Sequence, residues 1–124
     1  MRSIKRLSLF IVLSVLFITC ASPLPTLDGI DLKLWKGDKN GCNGNRSKMI
    51  DAITHEKEKL KALTEMEIIQ LLGRPDENDL LERGQKFFVY YLEPGPHCDK
   101  PLDEPRQLIL RINAMSLIRE TLIK

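Results

Sequence analysis

The chain has 124 residues, enough for one small domain, and it carries 19 basic and 17 acidic residues. Arg2, Lys5 and Arg6 precede a run of uncharged residues, so their charge belongs to an N-terminal segment. Without residues 1–19 the chain has 16 basic and 17 acidic residues. This balance excludes the strongly basic surface that is typical of nucleic-acid binding.

The N-terminal segment has the organisation of an export signal. Three basic residues are followed by an uncharged, mostly apolar run over residues 7–19 and then by the small residues Cys20, Ala21 and Ser22. The apolar run is too short to span the ~30 Å hydrocarbon core of a bilayer. We therefore predict a signal peptide over residues 1–19, with a membrane anchor as the less favoured alternative.

Three cysteines must be accounted for in an exported chain, where thiols are usually paired. If Cys20 is the lipid-modified first residue of a bacterial lipoprotein, Cys42 and Cys98 remain as a pair. The segment "LFITC" resembles a lipobox, with Thr19 where Gly, Ala or Ser is usual. We predict lipidation of Cys20 and a Cys42–Cys98 disulfide. The alternatives are cleavage after Ala21, giving a secreted or periplasmic soluble protein, and two unrelated buried thiols.

The segment that follows the signal is predicted to be irregular. Residues 20–33 contain two prolines, a glycine and no sustained period, which is typical of a tether, here a lipidated one. Residues 34–47 are rich in glycine and asparagine and predict a loop around Cys42. Asp38, Asn40 and Cys42 alternate as in a calcium loop, but the required glycine and terminal glutamate are absent, so no metal site is expected.

Two helices are predicted next. Apolar residues recur with helical spacing over residues 48–61, and His55 falls on the polar side. Thr64 and Glu67 form a capping box, so a second helix begins at residue 65 and ends at Gly73, with Pro75 beyond. Arg74 then lies at the helix C-terminus, where the dipole is negative and would repel a phosphate. We interpret Arg74 as a cation that suits this helix end.

Three strands are predicted after the helices. "KFFVYYL", residues 86–92, is aromatic and β-branched, with apolar side chains on both faces. Residues 93–105 contain four prolines and predict a loop that carries Cys98. "RQLILRIN" and "SLIRETLIK" predict two further strands joined by a turn at residues 113–115. The expected fold class is α+β, with two helices packed on one face of a three-stranded antiparallel sheet, in a domain over residues 34–124.

The capped short helix ending in Leu-Gly-x-Pro, the strand "FFVYYL" and the two closing strands carry a resemblance. Residues 47–124 resemble the SmpA/OmlA domain of the BamE family of bacterial envelope lipoproteins. The same fold occurs in small secreted β-lactamase-inhibitor proteins. The block "LWKGDKNGC…R…LLGRPD…KFFVYYLEPGPHC" is also similar to uncharacterised lipoproteins of Bacteroidetes.

The resemblance implies a protein on the periplasmic side of the outer membrane, without catalytic residues, that assists the insertion of β-barrel proteins. We expect contacts with envelope proteins, membrane attachment through the N-terminal lipid, and neither a nucleic acid nor a small-molecule substrate. Trp35, Phe88 and Tyr90 would mark the docking surface if they are exposed; the alternative is that they fill the core.

Enzymatic and metal-binding alternatives are weakly supported by the sequence. Cys98 lies between His97 and Asp99, but adjacent residues in an extended segment usually diverge and do not form a nucleophile and its base. A zinc site from Cys42, His97 and Cys98 lacks a fourth ligand. We expect no cofactor and no catalysis, and we carry two hypotheses: an envelope accessory anchored by lipid, or a secreted disulfide-stabilised binding or inhibitor module.

Overall fold

The computed structural model describes residues 22–124; the predicted signal peptide and Cys20 lie outside the described residues. Helices and strands follow one another in the order expected for an α+β domain. The helices are α1 (Leu32–Gly37), α2 (Ile50–Glu56) and α3 (Glu65–Leu72), and the strands are β1 (Glu77–Leu80), β2 (Lys86–Tyr91), β3 (Gln107–Ile112) and β4 (Ile118–Ile123).

The four strands form an antiparallel meander in the order β1-β2-β3-β4. The α+β class is therefore confirmed, but the prediction of three strands is wrong, because β1 lies in a segment for which no strand was predicted. The sequence of β1, "ENDL", has no alternation of apolar and polar residues, which is the usual signal of a strand. Its pairing with β2 determines its conformation instead.

The segment predicted as a tether contributes to the core. Leu27 is buried, and Leu24, Ile30 and Leu32 pack against the same apolar cluster. The next residues form α1 rather than the predicted loop, and Asp31 begins this helix by accepting hydrogen bonds from the backbone N–H groups of Lys33 and Leu34 at 3.0 and 3.1 Å. The folded domain therefore begins before residue 34.

The two predicted helices are present with modified geometry. The segment predicted as one helix over residues 48–61 consists of α2 between two 3₁₀ turns, Ser47–Met49 and Lys57–Leu60. The capping box at the start of α3 is confirmed. At its end Gly73 has φ 81° and ψ 179°, a conformation essentially restricted to glycine, and its N–H donates to the Ile69 carbonyl. Lys36 donates to the Gln70 carbonyl at this end, 2.9 Å away.

The core lies between the helices and one face of the sheet. The β2 side chains on this face are Phe88 and Tyr90, and Leu92 follows them just beyond the strand. Val89 and Tyr91 are also buried on the opposite face, as the apolar pattern on both faces predicted. Leu108, Leu110 and Ile112 of β3 complete the centre of the core.

The two edge strands of the sheet differ in their hydrogen bonds to neighbouring segments. At the β4 edge, Ile118 exchanges hydrogen bonds with the linker between α2 and α3: its N–H donates to Leu63, and its carbonyl accepts from Ala62, both at 2.9 Å. Lys57 reaches the Thr121 carbonyl further along the same edge. Within residues 22–124, no element pairs with the outer side of β1.

The predicted disulfide between Cys42 and Cys98 is present, with a sequence separation of 56. It connects the turn after α1 to the loop between β2 and β3. Of the helices that the structure describes, none has the length and apolar character needed to cross a membrane.

Replacing both Cys42 and Cys98 by serine is expected to lower the free energy of unfolding by about 4 kcal/mol. The disulfide closes a long loop and so reduces the conformational entropy of the unfolded chain, and the double variant loses this effect. Urea denaturation followed by circular dichroism measures the change. Cys20→Ser is the matched control and should leave the stability of the domain unchanged. A loss below about 1 kcal/mol in the double variant would contradict the expectation.

Candidate functional site

Three charged side chains, Asp38, Arg46 and Asp76, are buried together and form what we call the polar cluster. The Arg46 and Asp76 side chains are each 1% exposed, and Arg46 Nη1 lies 2.6 Å from Asp76 Oδ2. Asp38 is fully buried. Buried charges require partners, since an isolated charge in the interior costs several kcal/mol.

Asp38 organises the turn that leads from α1 to Arg46. Its Oδ1 accepts a hydrogen bond from the Asn43 N–H at 2.7 Å, and its Oδ2 accepts one from the Arg46 N–H at 2.8 Å. The carboxylate that resembles the first ligand of a calcium loop therefore binds backbone N–H groups of its own turn. This arrangement fixes the position from which the Arg46 side chain enters the core.

Arg46 and Asp76 also complete the hydrogen bonding of β2. Strand β1 begins at Glu77, which pairs with Val89 of β2. Tyr91, two residues further along β2, therefore has no partner residue in β1. The Tyr91 N–H donates to Asp76 Oδ2 at 2.8 Å, and its carbonyl accepts from Arg46 Nη1 at 3.1 Å. The two charged side chains therefore replace a strand partner at this position.

Aromatic rings surround the Arg46 guanidinium. Its central carbon lies 5.0 Å from the centroid of the Trp35 ring and 5.8 Å from that of Tyr90, within the range of cation–π attraction. Arg46 Nε donates to the Trp35 carbonyl at 2.9 Å, and the Tyr90 hydroxyl donates to the Gly73 carbonyl at 2.7 Å. The polar cluster thus connects α1, the end of α3 and β2.

The proposed docking residues do not form an exposed surface. Trp35 and Tyr90 are fully buried and Phe88 is 3% exposed. Trp35 and Tyr90 pack on the Arg46 guanidinium. Trp35, Phe88 and Tyr90 all belong to the apolar core. The docking prediction for these three residues is wrong, and the alternative that they fill the core is confirmed.

The disulfide closes a compact crossing of two loops beside the polar cluster. The Gly95 N–H donates to the Asn40 carbonyl at 2.9 Å. A Cβ atom on Gly41 would lie 2.6 Å from the Glu93 carbonyl oxygen, and one on Gly95 would lie 2.7 Å from the Tyr91 ring. Glycine is therefore required at both positions for the loops to approach.

Oxidation of the two cysteines removes the chemistry that the sequence alternatives invoked. A disulfide sulfur is not a thiolate, so Cys98 is not a nucleophile while the bond is intact. Both sulfurs of the hypothetical zinc site are likewise occupied. His55 and His97 are exposed, and residues 22–124 contain no group of three or more His, Cys, Asp or Glu side chains placed to hold a metal ion.

An apolar groove lies between α3 and β1. We call it the edge groove; its lining residues are Met66, Ile69, Arg74, Pro75, Asn78 and Phe88. Met66 is 64% exposed, and Leu80, two residues after Asn78 on the same face of β1, is 70% exposed. This groove therefore presents apolar side chains to solvent directly beside the unpaired edge of the sheet.

The outer side of β1 also presents backbone groups. The Leu81 N–H donates to the Gln85 carbonyl at 2.8 Å, and the alternation of an antiparallel ladder then directs Glu77 and Asp79 toward β2. The N–H and C=O groups of Asn78 and Leu80 consequently point away from the sheet. Glu77 and Asp79 place their side chains on the face opposite the helices, with Phe87 and Val89.

The sequence predicted no role for Arg46, Asp76 or the β1 edge, and Asp38 was considered only as a position of a calcium loop. Arg46 and Asp76 are 30 residues apart, and nothing in their spacing indicates that they meet. The available signal was that the block on which the predicted resemblance to lipoproteins rests contains all three charged residues together with Trp35 and Tyr90. The edge groove gave no signal, because it combines residues from three separate elements.

Replacing Arg46 by methionine is expected to lower the free energy of unfolding by about 3–5 kcal/mol, because Asp76 would remain as a buried charge without its partner. Asp76→Leu should cost a similar amount. The double variant should lose less than the sum of the two, since neither buried charge then remains. Chemical denaturation of the four proteins measures this coupling.

Arg106→Met is the matched control, because Arg106 is 54% exposed in its ion pair with Glu93. Its loss should change the free energy of unfolding by no more than about 1 kcal/mol. Equal effects of the Arg46 and Arg106 variants would contradict the role assigned to the polar cluster.

The two tyrosines of the chain are expected to resist ionisation. Burial raises the pKa of Tyr90 well above its ordinary value. Burial and the hydrogen bond that its hydroxyl donates to Glu77 raise the pKa of Tyr91 to about 12. Because the folded protein favours the protonated forms, this stabilisation is complete below the unfolded pKa of about 10 and is lost as the pH rises through the folded values.

Tyrosinate absorbance at alkaline pH measures this directly, since Tyr90 and Tyr91 contribute the whole signal. The folded protein should show little tyrosinate at pH 10–11, whereas protein in guanidinium chloride should titrate near 10. Tyr91→Phe isolates the Tyr90 signal and should leave an even later titration. A folded protein that titrates near pH 10 would contradict the burial of both hydroxyls.

Comparison of the chain with protein-family models, with curated proteins and with solved structures finds no match. The likeness to the SmpA/OmlA domain therefore stays a prediction from the sequence.

Proposed function

We propose that the protein is a non-catalytic binding domain of the bacterial cell envelope, held at the outer membrane on its periplasmic side by a lipid on Cys20. The observation that carries the binding function is the open β1 edge with the apolar edge groove beside it. An exposed edge strand exposes a protein to unwanted pairing, and natural proteins usually cover or blunt it. The β4 edge of the same sheet is bonded to other elements at Ile118 and Thr121, which favours a use for the unbonded β1 edge.

The disulfide supports a location outside the cytoplasm. Such bonds persist in oxidising compartments and are rare where thioredoxin and glutathione keep thiols reduced. The predicted signal peptide leads to the same compartment. With Cys42 and Cys98 paired, Cys20 is the remaining cysteine of the chain, which is the count expected of a lipoprotein.

The absence of catalysis in this proposal rests on where the polar residues are used. Asp38, Arg46 and Asp76 are engaged with backbone groups and with one another in the core. Cys98 is engaged in the disulfide. The likeness to the SmpA/OmlA domain adds a specific role, which is to assist the assembly of outer-membrane proteins through contact with another envelope protein.

The alternative function is a secreted, disulfide-stabilised binding or inhibitor module. The compact disulfide crossing favours it as well, because small secreted domains often depend on such bonds. Cleavage after Ala21 would release the soluble form. The two functions share the binding surface and differ in whether the protein is attached to a membrane.

Metabolic labelling with a palmitate analogue distinguishes the two. The full-length chain is expected to carry the label and to remain with outer-membrane vesicles after a salt wash. Cys20→Ser should lose the label and leave the membrane fraction, because one covalent lipid signal is then missing. Recovery of unlabelled, soluble protein that begins at Ser22 would contradict membrane attachment and favour the secreted module.

A C-terminal affinity tag tests the specific role. Purification from detergent-solubilised membranes should recover an outer-membrane protein of the assembly machinery with the tagged chain, and Cys20→Ser should reduce its yield. An untagged strain serves as the control for nonspecific recovery. Recovery without any envelope protein would contradict the accessory role.

A further inference from the structure

We propose that the β1 edge binds an extended peptide segment of another protein, which adds to the sheet as a fifth, antiparallel strand. This inference rests on the proposed binding function and names its surface and the chemistry of its partner. The segment would alternate apolar and basic side chains. The former would enter the edge groove, and the latter would lie beside the carboxylates on the opposite face.

The backbone of β1 can form hydrogen bonds with an added strand. The N–H and C=O groups of Asn78 and Leu80 point outward, which gives two donors and two acceptors at the spacing of an antiparallel ladder. Strand addition of this kind supplies main-chain hydrogen bonds to the bound peptide, while pockets for alternate side chains provide specificity. An added strand would satisfy all four groups at once.

The edge groove can accept apolar side chains of the added strand. Residues opposite Asn78 and Leu80 in an antiparallel pair place their side chains on the same face as these two, which is the face of α3. That face offers exposed Met66 and Leu80, with Phe88 and Ile69 below. Apolar side chains at alternate positions of the partner would cover this surface.

Charge distinguishes the partner from a second copy of this chain. Glu77 and Asp79 are neighbours on the face opposite α3, so a partner strand would place its remaining side chains beside two carboxylates. An antiparallel pair of two β1 strands centred on Asn78 would place Glu77 opposite Asp79 in both copies. Like charges directly opposite are destabilising, whereas basic side chains at these positions are complementary.

The test uses the full-length protein purified in detergent and a fluorescein-labelled heptapeptide of alternating leucine and lysine, with binding followed by fluorescence anisotropy. Saturable binding is expected, and a heptapeptide of alternating leucine and glutamate should bind at least about tenfold more weakly. Equal binding of the two peptides, or no binding of the first, would overturn the proposal.

Methylation of peptide backbone nitrogens tests strand addition itself. In the proposed register the leucine residues direct their N–H groups toward β1, and the lysine residues direct theirs away. Methylation of the leucine nitrogens should weaken binding at least about tenfold, whereas methylation of the lysine nitrogens should have a smaller effect. The opposite result, or equal effects, would overturn the register.

Surface variants locate the site. Met66→Asp and Leu80→Asp should each weaken binding of the leucine–lysine peptide about tenfold or more, because both residues are exposed and line or adjoin the edge groove. Leu102→Asp is the matched control, since Leu102 is exposed in the loop between β2 and β3 and should not change the affinity. Circular dichroism verifies that every variant is folded.

Two further measurements distinguish peptide binding at β1 from self-association and from the envelope function. Sedimentation should show a monomer; a dimer that Leu80→Asp dissociates would overturn the heterologous partner in favour of a second copy. Palmitate labelling is independent of the peptide assay. A lipidated protein that fails to bind the peptide would therefore refute the β1 site and leave the envelope function standing.

Discussion

The buried ion pair of Arg46 and Asp76 determines how the separate parts of this domain fit together. Arg46 binds the Trp35 carbonyl and the Tyr91 carbonyl, while Asp76 binds the Tyr91 N–H and the Asn40 N–H at 3.0 Å. One pair of side chains thus joins α1, the following turn, the start of β1 and the end of β2. A buried ion pair is by itself weak evidence for stability. Here its effect is geometric, because its hydrogen bonds fix the positions of these segments relative to one another.

The same interaction gives a structural role to the block of sequence on which the predicted resemblance to lipoproteins rests. Three of its charged side chains, those of Asp38, Arg46 and Asp76, are buried in the interior, where they bind backbone groups and one another. Two of its aromatic residues, Trp35 and Tyr90, pack on the Arg46 guanidinium. The two glycines beside the disulfide allow the loops to cross at close range. This block forms a junction between loops, and the proposed binding surface lies elsewhere.

The proposed binding surface is the outer edge of β1, on the opposite side of the sheet from β4. The polar cluster holds the first residue of β1 through Asp76, yet nothing in residues 22–124 covers the strand's outer side. The β4 edge, in contrast, is bonded to the linker between α2 and α3 through Ile118. The proposed binding site is preorganised, because β1 is already paired with β2 and the ordering cost would fall mainly on the bound segment.

Local physics in the sequence was sufficient for part of this picture. The α+β class, the capping box of Thr64 and Glu67, the end of α3 at Gly73 and the strands β2 to β4 follow from periodicity, capping and turn residues, which act over a few positions. The Cys42–Cys98 pair was predicted from the number of cysteines together with the assignment of Cys20 to the lipid anchor. Tertiary structure alone decided the rest. Strand β1 has no apolar alternation and forms because β2 pairs with it, and Arg46 meets Asp76 across 30 residues. Burial of Trp35, Phe88 and Tyr90, and exposure of Met66 and Leu80, depend on which elements lie above each face, and no spacing along the chain records that arrangement.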